Sequence, residues 1–272
     1  MSKYFTIFIN IPFQKNYCLL IDDANLYQDF SLFFGKLASS NSLNNEDCYT
    51  YIIEKCENHY FCIHKNQKIQ TNDPIAFIHK IINSNFRETK GKIVLHASAI
   101  QHNNEAFVFI APTRTGKTTL IAYLNSKGYN VITDDCAIID IESKKIHLYE
   151  APIHLREGGY NILNSNNLSL NLQGTVNLES GKRYIIPTNS TSINEIPIRS
   201  FIFIKRNNMN FISEKLDKTM VFSKLLISTI CMYNQNSSLY KNILELSKID
   251  SYSVIYKDMS FIEDFIKNYE SK

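Results

Sequence analysis

One stretch of eight residues limits what this chain can fold into more than any other part of it. Ala111-Pro112-Thr113-Arg114-Thr115-Gly116-Lys117-Thr118 fits the phosphate-loop pattern G-x-x-x-x-G-K-[ST], with alanine in place of the first glycine. The apolar run Phe107-Val108-Phe109-Ile110 precedes it, and helical patterning over 117–126 follows. Gly128 stands just past that helix, where a left-handed cap belongs. With strands predicted over 93–95, 106–111 and 131–133, the segment reads as a β-loop-α-β unit, which puts the chain in the α/β class.

Such a loop has a definite physical capability. Consecutive backbone N–H groups leading into a helix N-terminus converge on a concavity that attracts anions. Thr113, Arg114, Thr115, Gly116, Lys117, Thr118 and Thr119 are therefore the candidate nucleotide-binding residues. Lys117 is spaced to neutralise β- and γ-phosphate oxygens. The Thr118 hydroxyl is a candidate Mg²⁺ ligand, since that ion keeps several waters and takes few protein ligands. Alanine at 111 is tolerable there if its φ is negative.

Seventeen positions beyond Lys117, the run Tyr129-Asn130-Val131-Ile132-Thr133 ends in Asp134 and Asp135. A carboxylate at a strand end beside a phosphate loop is a candidate Mg²⁺ ligand. Successive side chains of an extended chain point opposite ways, so two adjacent acids can do two jobs: one reaches a metal, the other accepts a proton from an attacking hydroxyl. His96, expected at the end of the strand over 93–95, is a candidate to hydrogen-bond and tune Asp135.

Composition narrows the partners. The 29 Lys plus Arg against 26 Asp plus Glu leave a net charge of only +3, too little clustered charge to argue for nucleic acid. No apolar stretch approaches the roughly 18 residues of a membrane span, and Met1 to Phe5 does not open a signal peptide. A cytoplasmic protein with no membrane partner is expected. Six cysteines dispersed over 272 residues are expected to be reduced thiols rather than a disulfide framework. Cys56, His59, Cys62 and His64 lack the paired spacing of a zinc site.

Residues 1–90 are expected to form a small α+β module, with strands over 4–9 and 17–21, a polar turn over 40–48, and a helix opened by Asp73-Pro74. Residues 91–272 are expected to form an ATP-binding catalytic core. In it, 200–204 and 252–256 read as strands, 218–232, 237–248 and 260–269 as helices, and the Asn-rich piece 161–177 as a loop.

Leu95-His96-Ala97-Ser98-Ala99-Ile100, then Ala111 to Leu120, then Gly128 to Asp135 together resemble the HPr serine kinase/phosphorylase superfamily. The likeness is greatest to its shorter HPr-kinase-like proteins, some of which serve peptide-modification clusters such as those for lasso peptides. The resemblance implies a phosphoenolpyruvate-carboxykinase-like P-loop nucleotide-binding core, with ATP and Mg²⁺ as cofactors. It further implies phosphorylation of a serine or threonine hydroxyl on a peptide or small protein, and self-association into a homo-oligomer. Carried over residue by residue, Gly116, Lys117 and Thr118 serve phosphate and Mg²⁺, Asp134 serves as metal ligand, Asp135 as base, and His96 as its neighbour. The converse assignment of the two aspartates stays open.

Departures from the family bear on the reaction. The downstream Arg-Gly-x-Gly-type signature tied to phosphorolysis is echoed only by Leu155-Arg156-Glu157-Gly158-Gly159, which leaves the reverse reaction unsupported. Arg156 and the pair Lys182-Arg183 are candidates to stabilise the transferring phosphoryl group or to contact substrate. Two other functions compete: a nucleotide-binding regulatory ATPase, and a kinase of a small-molecule hydroxyl. The second aspartate and His96 favour a kinase, because a switch needs no base.

Overall fold

The computed structural model describes residues 3–41, 48–86, 91–189, 191–207, 211–230 and 237–269. The chain forms two compact units. The first is Met1–Phe86 with Glu150–Glu157 and Asn171–Pro187; the second is Arg87–Tyr149 with Gly158–Leu170 and Thr188–Lys272. Two later segments thus join the N-terminal module, which a single division after residue 90 does not anticipate.

The chain opens with β1 (Phe5–Ile9), β2 (Asn16–Ile21), α1 (Ala24–Phe34), β3 (Ala38–Ser39), β4 (Cys48–Cys56), β5 (His59–His64), β6 (Gln67–Thr71) and α2 (Pro74–Asn85). These strands form one sheet in the order β3-β1-β2-β4-β5-β6. Period-two patterning accounts for it: Tyr17, Leu19 and Ile21 are buried, while Asn16, Cys18 and Leu20 between them are half-buried. Asp23 and Asp73 cap the two helices by accepting from Leu26 N at 2.8 Å and Ala76 N at 2.9 Å. Pro74 sits in the first turn, where its missing N–H costs nothing. Most of the turn expected over 40–48 lies outside the described residues.

Next come β7 (Lys92–His102), β8 (Glu105–Ile110), α3 (Lys117–Ser126), β9 (Asn130–Thr133), β10 (Cys136–Asp140) and β11 (Lys145–His147) of the second unit. β12 (Ile153–Arg156) returns to the first unit, and α4 (Glu157–Ser165) follows. β13 (Gly174–Leu178) and β14 (Gly181–Ile186) complete an antiparallel three-stranded sheet, β12-β14-β13, in the first unit. The second unit ends with β15 (Glu195–Arg206), β16 (Ile212–Lys215), α5 (Lys218–Ser228), α6 (Ser237–Leu246), β17 (Ser251–Tyr256) and α7 (Ser260–Lys267).

The sheet of the second unit runs β11-β10-β7-β8-β15-β17-β16, with β9 also paired to β7. β8, β15 and β17 are parallel; β7 is antiparallel to β8, β9 and β10. Residues 93–101 of β7 are buried at every position but His96, the mark of a strand covered on both faces. Val221, Leu225, Ile243 and Leu246 of α5 and α6 pack against Ile93, Leu95, Ala97 and Ala99. On the other face, α3 packs on β7 and β9, and Tyr123 of α3 donates to Glu263 of α7 at 2.9 Å. The result is a three-layer α/β/α arrangement.

Three expectations need correction. β7 does not stop after Leu95: the run to His102 pairs with β8 and β9, so His96 lies inside a strand rather than at its end. The piece 161–177 is not one loop, because α4 occupies its start and β13 its end. Burial of Leu163 there outweighs the weak helix propensity of the surrounding asparagines. The helix expected over 218–232 ends at Ser228, with residues 231–232 outside the described set. Among the described residues, no helix is long and apolar enough to cross a membrane.

Candidate active site

The eight-residue motif forms the turn between β8 and α3. β8 ends at Ile110, which pairs with Ala97 of β7 on one side and Phe203 of β15 on the other. Ala111 is not among the residues of positive φ, so the side chain that replaces glycine brings no strain. The left-handed positions are Arg114 (φ +66°) and Gly116 (φ +99°). Glycine meets that demand freely at 116; arginine at 114 bears a cost of about 1 kcal/mol. Thr115 Oγ1 donates to Pro112 O at 2.6 Å, and Leu120 N donates to Gly116 O at 2.9 Å as α3 begins.

Lys117 is 6% exposed, and its Nζ donates to Ala111 O at 2.6 Å. The side chain thereby clasps the loop from its end to its beginning. Burial pushes its pKa down, while the charges of Asp135 and Asp134 pull it back up.

The two acids come from a strand that is almost continuous. β9 and β10 both run antiparallel to β7, with Ile100 opposite Val131, Ala99 opposite Thr133, and His96 opposite Cys136. Ile132 is the extra residue of a bulge. Beyond it one register extends to Asp140, which sets Asp134 level with Ser98 and Asp135 level with Ala97. Ala97 and Ser98 pair on their other side with Ile110 and Phe109, the last residues before the loop. Loop and acids therefore flank the same two residues of β7.

Their environments differ sharply. Asp134 is buried, its carboxylate hydrogen-bonded to the hydroxyls of Thr118 and Ser98. Burial first, and then the charge of Asp135, pushes its carboxyl up to about 7. Asp135 has a side chain 45% exposed, with Oδ1 3.0 Å from Nδ1 of His96. One acid faces inward and its neighbour faces water.

Lys117, Thr118, Asp134, Asp135 and His96 thus lie close to one another. Thr113 and Arg114 lie exposed on the loop, and Thr119 is half-buried in α3. Arg156, exposed at the end of β12, and Lys182, whose Nζ lies 5.2 Å from the Tyr184 ring centroid, belong to the first unit. So does Arg183, and its guanidinium is already engaged: it is buried and donates to Gly181 O at 2.8 Å and Ser180 Oγ at 2.7 Å, closing the β13–β14 turn. Two residues had no role in the sequence reading, Ser98 and Thr133. The only signal that could have found them is a hydroxyl at a buried strand position.

The Thr118 hydroxyl and the Asp134 carboxylate are oxygen donors suited to a hard cation. No group of three or more His, Cys, Asp or Glu among the described residues could hold a metal by itself. The donor set fits an ion that arrives with phosphate oxygens and water, as Mg²⁺ does.

No protein-family model matches the chain, and no curated protein does. Among solved structures, an alignment with the HPr(Ser) kinase/phosphatase from Coxiella burnetii covers 65% of this chain and 95% of that one, at 11% identity and a TM-score of 0.33.

Proposed function

We propose that this chain is a Mg²⁺-dependent phosphotransferase that moves the γ-phosphoryl group of ATP to a serine or threonine hydroxyl of a peptide or small protein, with a ribosomally made precursor peptide as the favoured acceptor. The observation that carries the reading is the divergence of two adjacent acids. Asp134 is buried against Thr118, whereas Asp135 is solvent-accessible and joined to His96. A nucleotide switch needs the first arrangement only; a kinase also needs an accessible base.

In this reading the loop amides and Lys117 bind the phosphates, and the burial of Lys117 strengthens that interaction by excluding water. Thr118 and Asp134 hold Mg²⁺, which supplies charge neutralisation for the triphosphate. Asp135 takes the proton from the acceptor hydroxyl as its oxygen bonds to the γ-phosphorus and the bond to ADP breaks. His96 keeps Asp135 aimed through the 3.0 Å pairing. Most of the catalysis is positioning and electrostatics.

The test is incubation with ATP, Mg²⁺ and a panel of precursor peptides, small proteins and free hydroxy amino acids, read by intact mass and fragment spectra. A phosphoryl group appears on a peptide serine or threonine, and Asp135→Asn lowers transfer by about 10²–10⁴-fold. ATP hydrolysis that ignores every acceptor and is unchanged in Asp135→Asn would replace the kinase with a regulatory ATPase.

A further inference from the structure

We propose that the hydroxyls of Ser98 and Thr133 are positioning residues that hold Asp134 in its inward geometry and so set the affinity of the site for its divalent cation. The inference rests on the phosphotransferase reading and extends it to two side chains outside the phosphate loop and the acid pair.

Both residues are fully buried, and a buried hydroxyl must find partners. Both find them on the acid-bearing segment. Ser98 Oγ donates to the backbone O of Asp134 at 2.5 Å, with Asp134 Oδ1 at 3.2 Å. Thr133 Oγ1 donates to Cys136 O at 3.0 Å and accepts from Cys136 N at 3.3 Å, which closes the chain on either side of the two acids. Ser98 is itself anchored, since its strand neighbour on the far side is Phe109 of β8.

The need for such bracing follows from strand geometry. A register slip of one residue turns every side chain to the opposite face, and here it would exchange the inward acid for the outward one. The bulge at Ile132 introduces such a shift two residues before Asp134. Ser98 then engages the backbone and the carboxylate of Asp134 at once, and Thr133 fixes the turn that follows. A hydroxyl that orients a ligating carboxylate acts on the metal through it, and losing such a partner typically weakens metal binding about 10–100-fold. If the two hydroxyls only satisfied the core, their removal would lower stability and leave metal affinity untouched.

The experiment uses the full chain with a non-hydrolysable ATP analogue and Mn²⁺ as probe, following free Mn²⁺ by electron paramagnetic resonance. Ser98→Ala and Thr133→Val raise the Mn²⁺ Kd about tenfold or more, Thr133→Ser keeps the wild-type value, and none of the three changes the affinity for the analogue measured in EDTA. Hydroxyl-less variants that bind Mn²⁺ as tightly as the wild type, whatever their melting temperatures, overturn the proposal. If Ser98→Ala does not fold, the contrast between Thr133→Val and Thr133→Ser decides it. A wild-type protein that binds neither the analogue nor Mn²⁺ removes the phosphotransferase reading itself, a result distinct from variants that match a binding wild type.

Discussion

Asp134 is held where a carboxylate does not prefer to be. Its burial raises the carboxyl to about 7, so in the metal-free protein the ionised form costs folding energy at neutral pH. For an acid whose folded value is raised, the penalty is present above that value and is relieved as pH falls through it. Asp134→Asn keeps the shape and removes the charge. The expected result is a higher metal-free Tm than wild type at pH 8, a gap that narrows on acidification toward pH 6, and loss of the Mg²⁺-dependent part of nucleotide binding; calorimetry and thermal melts read both. His96→Ala acts on the other acid: under the proposed function the expected result is a lower kcat, because Asp135 loses the partner 3.0 Å away, with binding of the ATP analogue unchanged. A fall in nucleotide affinity equal to the fall in kcat would place His96 in the phosphate site instead. At this scale Lys117, Thr118 and the acid pair were legible, because their spacing from a strand-loop-helix pattern is local. Ser98 and Thr133 were not, because nothing in a single strand tells which buried hydroxyl stands across from which acid.

Among the elements, α3 ends on a local signal, the glycine just past its last turn. Gly128 adopts φ +90°, and open space surrounds the position a Cβ would take, so Gly128→Ala costs about 1 kcal/mol from backbone strain alone, measurable by urea unfolding with no change in m. β7 depends on longer-range terms. Its first residue and the last of β10 are joined by Lys92 Nζ and Asp140 Oδ2 at 2.6 Å, and that lysine, with Ser143 N–H, holds the Asp140 carboxyl below the usual carboxylate range. A depressed carboxyl stabilises the fold above its unfolded value near 4 and loses that contribution as pH falls through its folded value. Asp140→Asn should therefore cost about 1–2 kcal/mol at pH 7 and progressively less below pH 4, in urea titrations at each pH. The full extent of β7 and the existence of α4 escaped the sequence reading for the same reason: pairing with β8 and β9, and burial of Leu163, come from residues distant in the chain.

On the scale of the whole molecule, the first unit is assembled from three separated stretches. Asp73 caps α2 and also accepts from Glu179 N at 2.8 Å, and His154 Nε2 lies 2.7 Å from Phe33 O, so the later stretches are bonded to the N-terminal one within that unit. A fragment of residues 91–272 would strand Ile153, Leu155, Val176, Ile185 and Ile186, all buried in the intact chain, without the partners the first 86 residues provide. It should be recovered as aggregate, or as a dye-binding species without a cooperative melt; a soluble monomer with a sharp transition would show the second unit to be self-sufficient.

Spacing along the chain determined the turn between the strand and Lys117, the helix that follows it, the glycine that ends that helix, and the presence of two acids beyond them, since each depends on contacts within a few residues. Only the folded molecule decided that Asp134 turns inward and Asp135 outward. That choice depends on the Ile132 bulge and on the register of β9 and β10 against β7, a pairing between segments about thirty to fifty residues apart that no local pattern encodes.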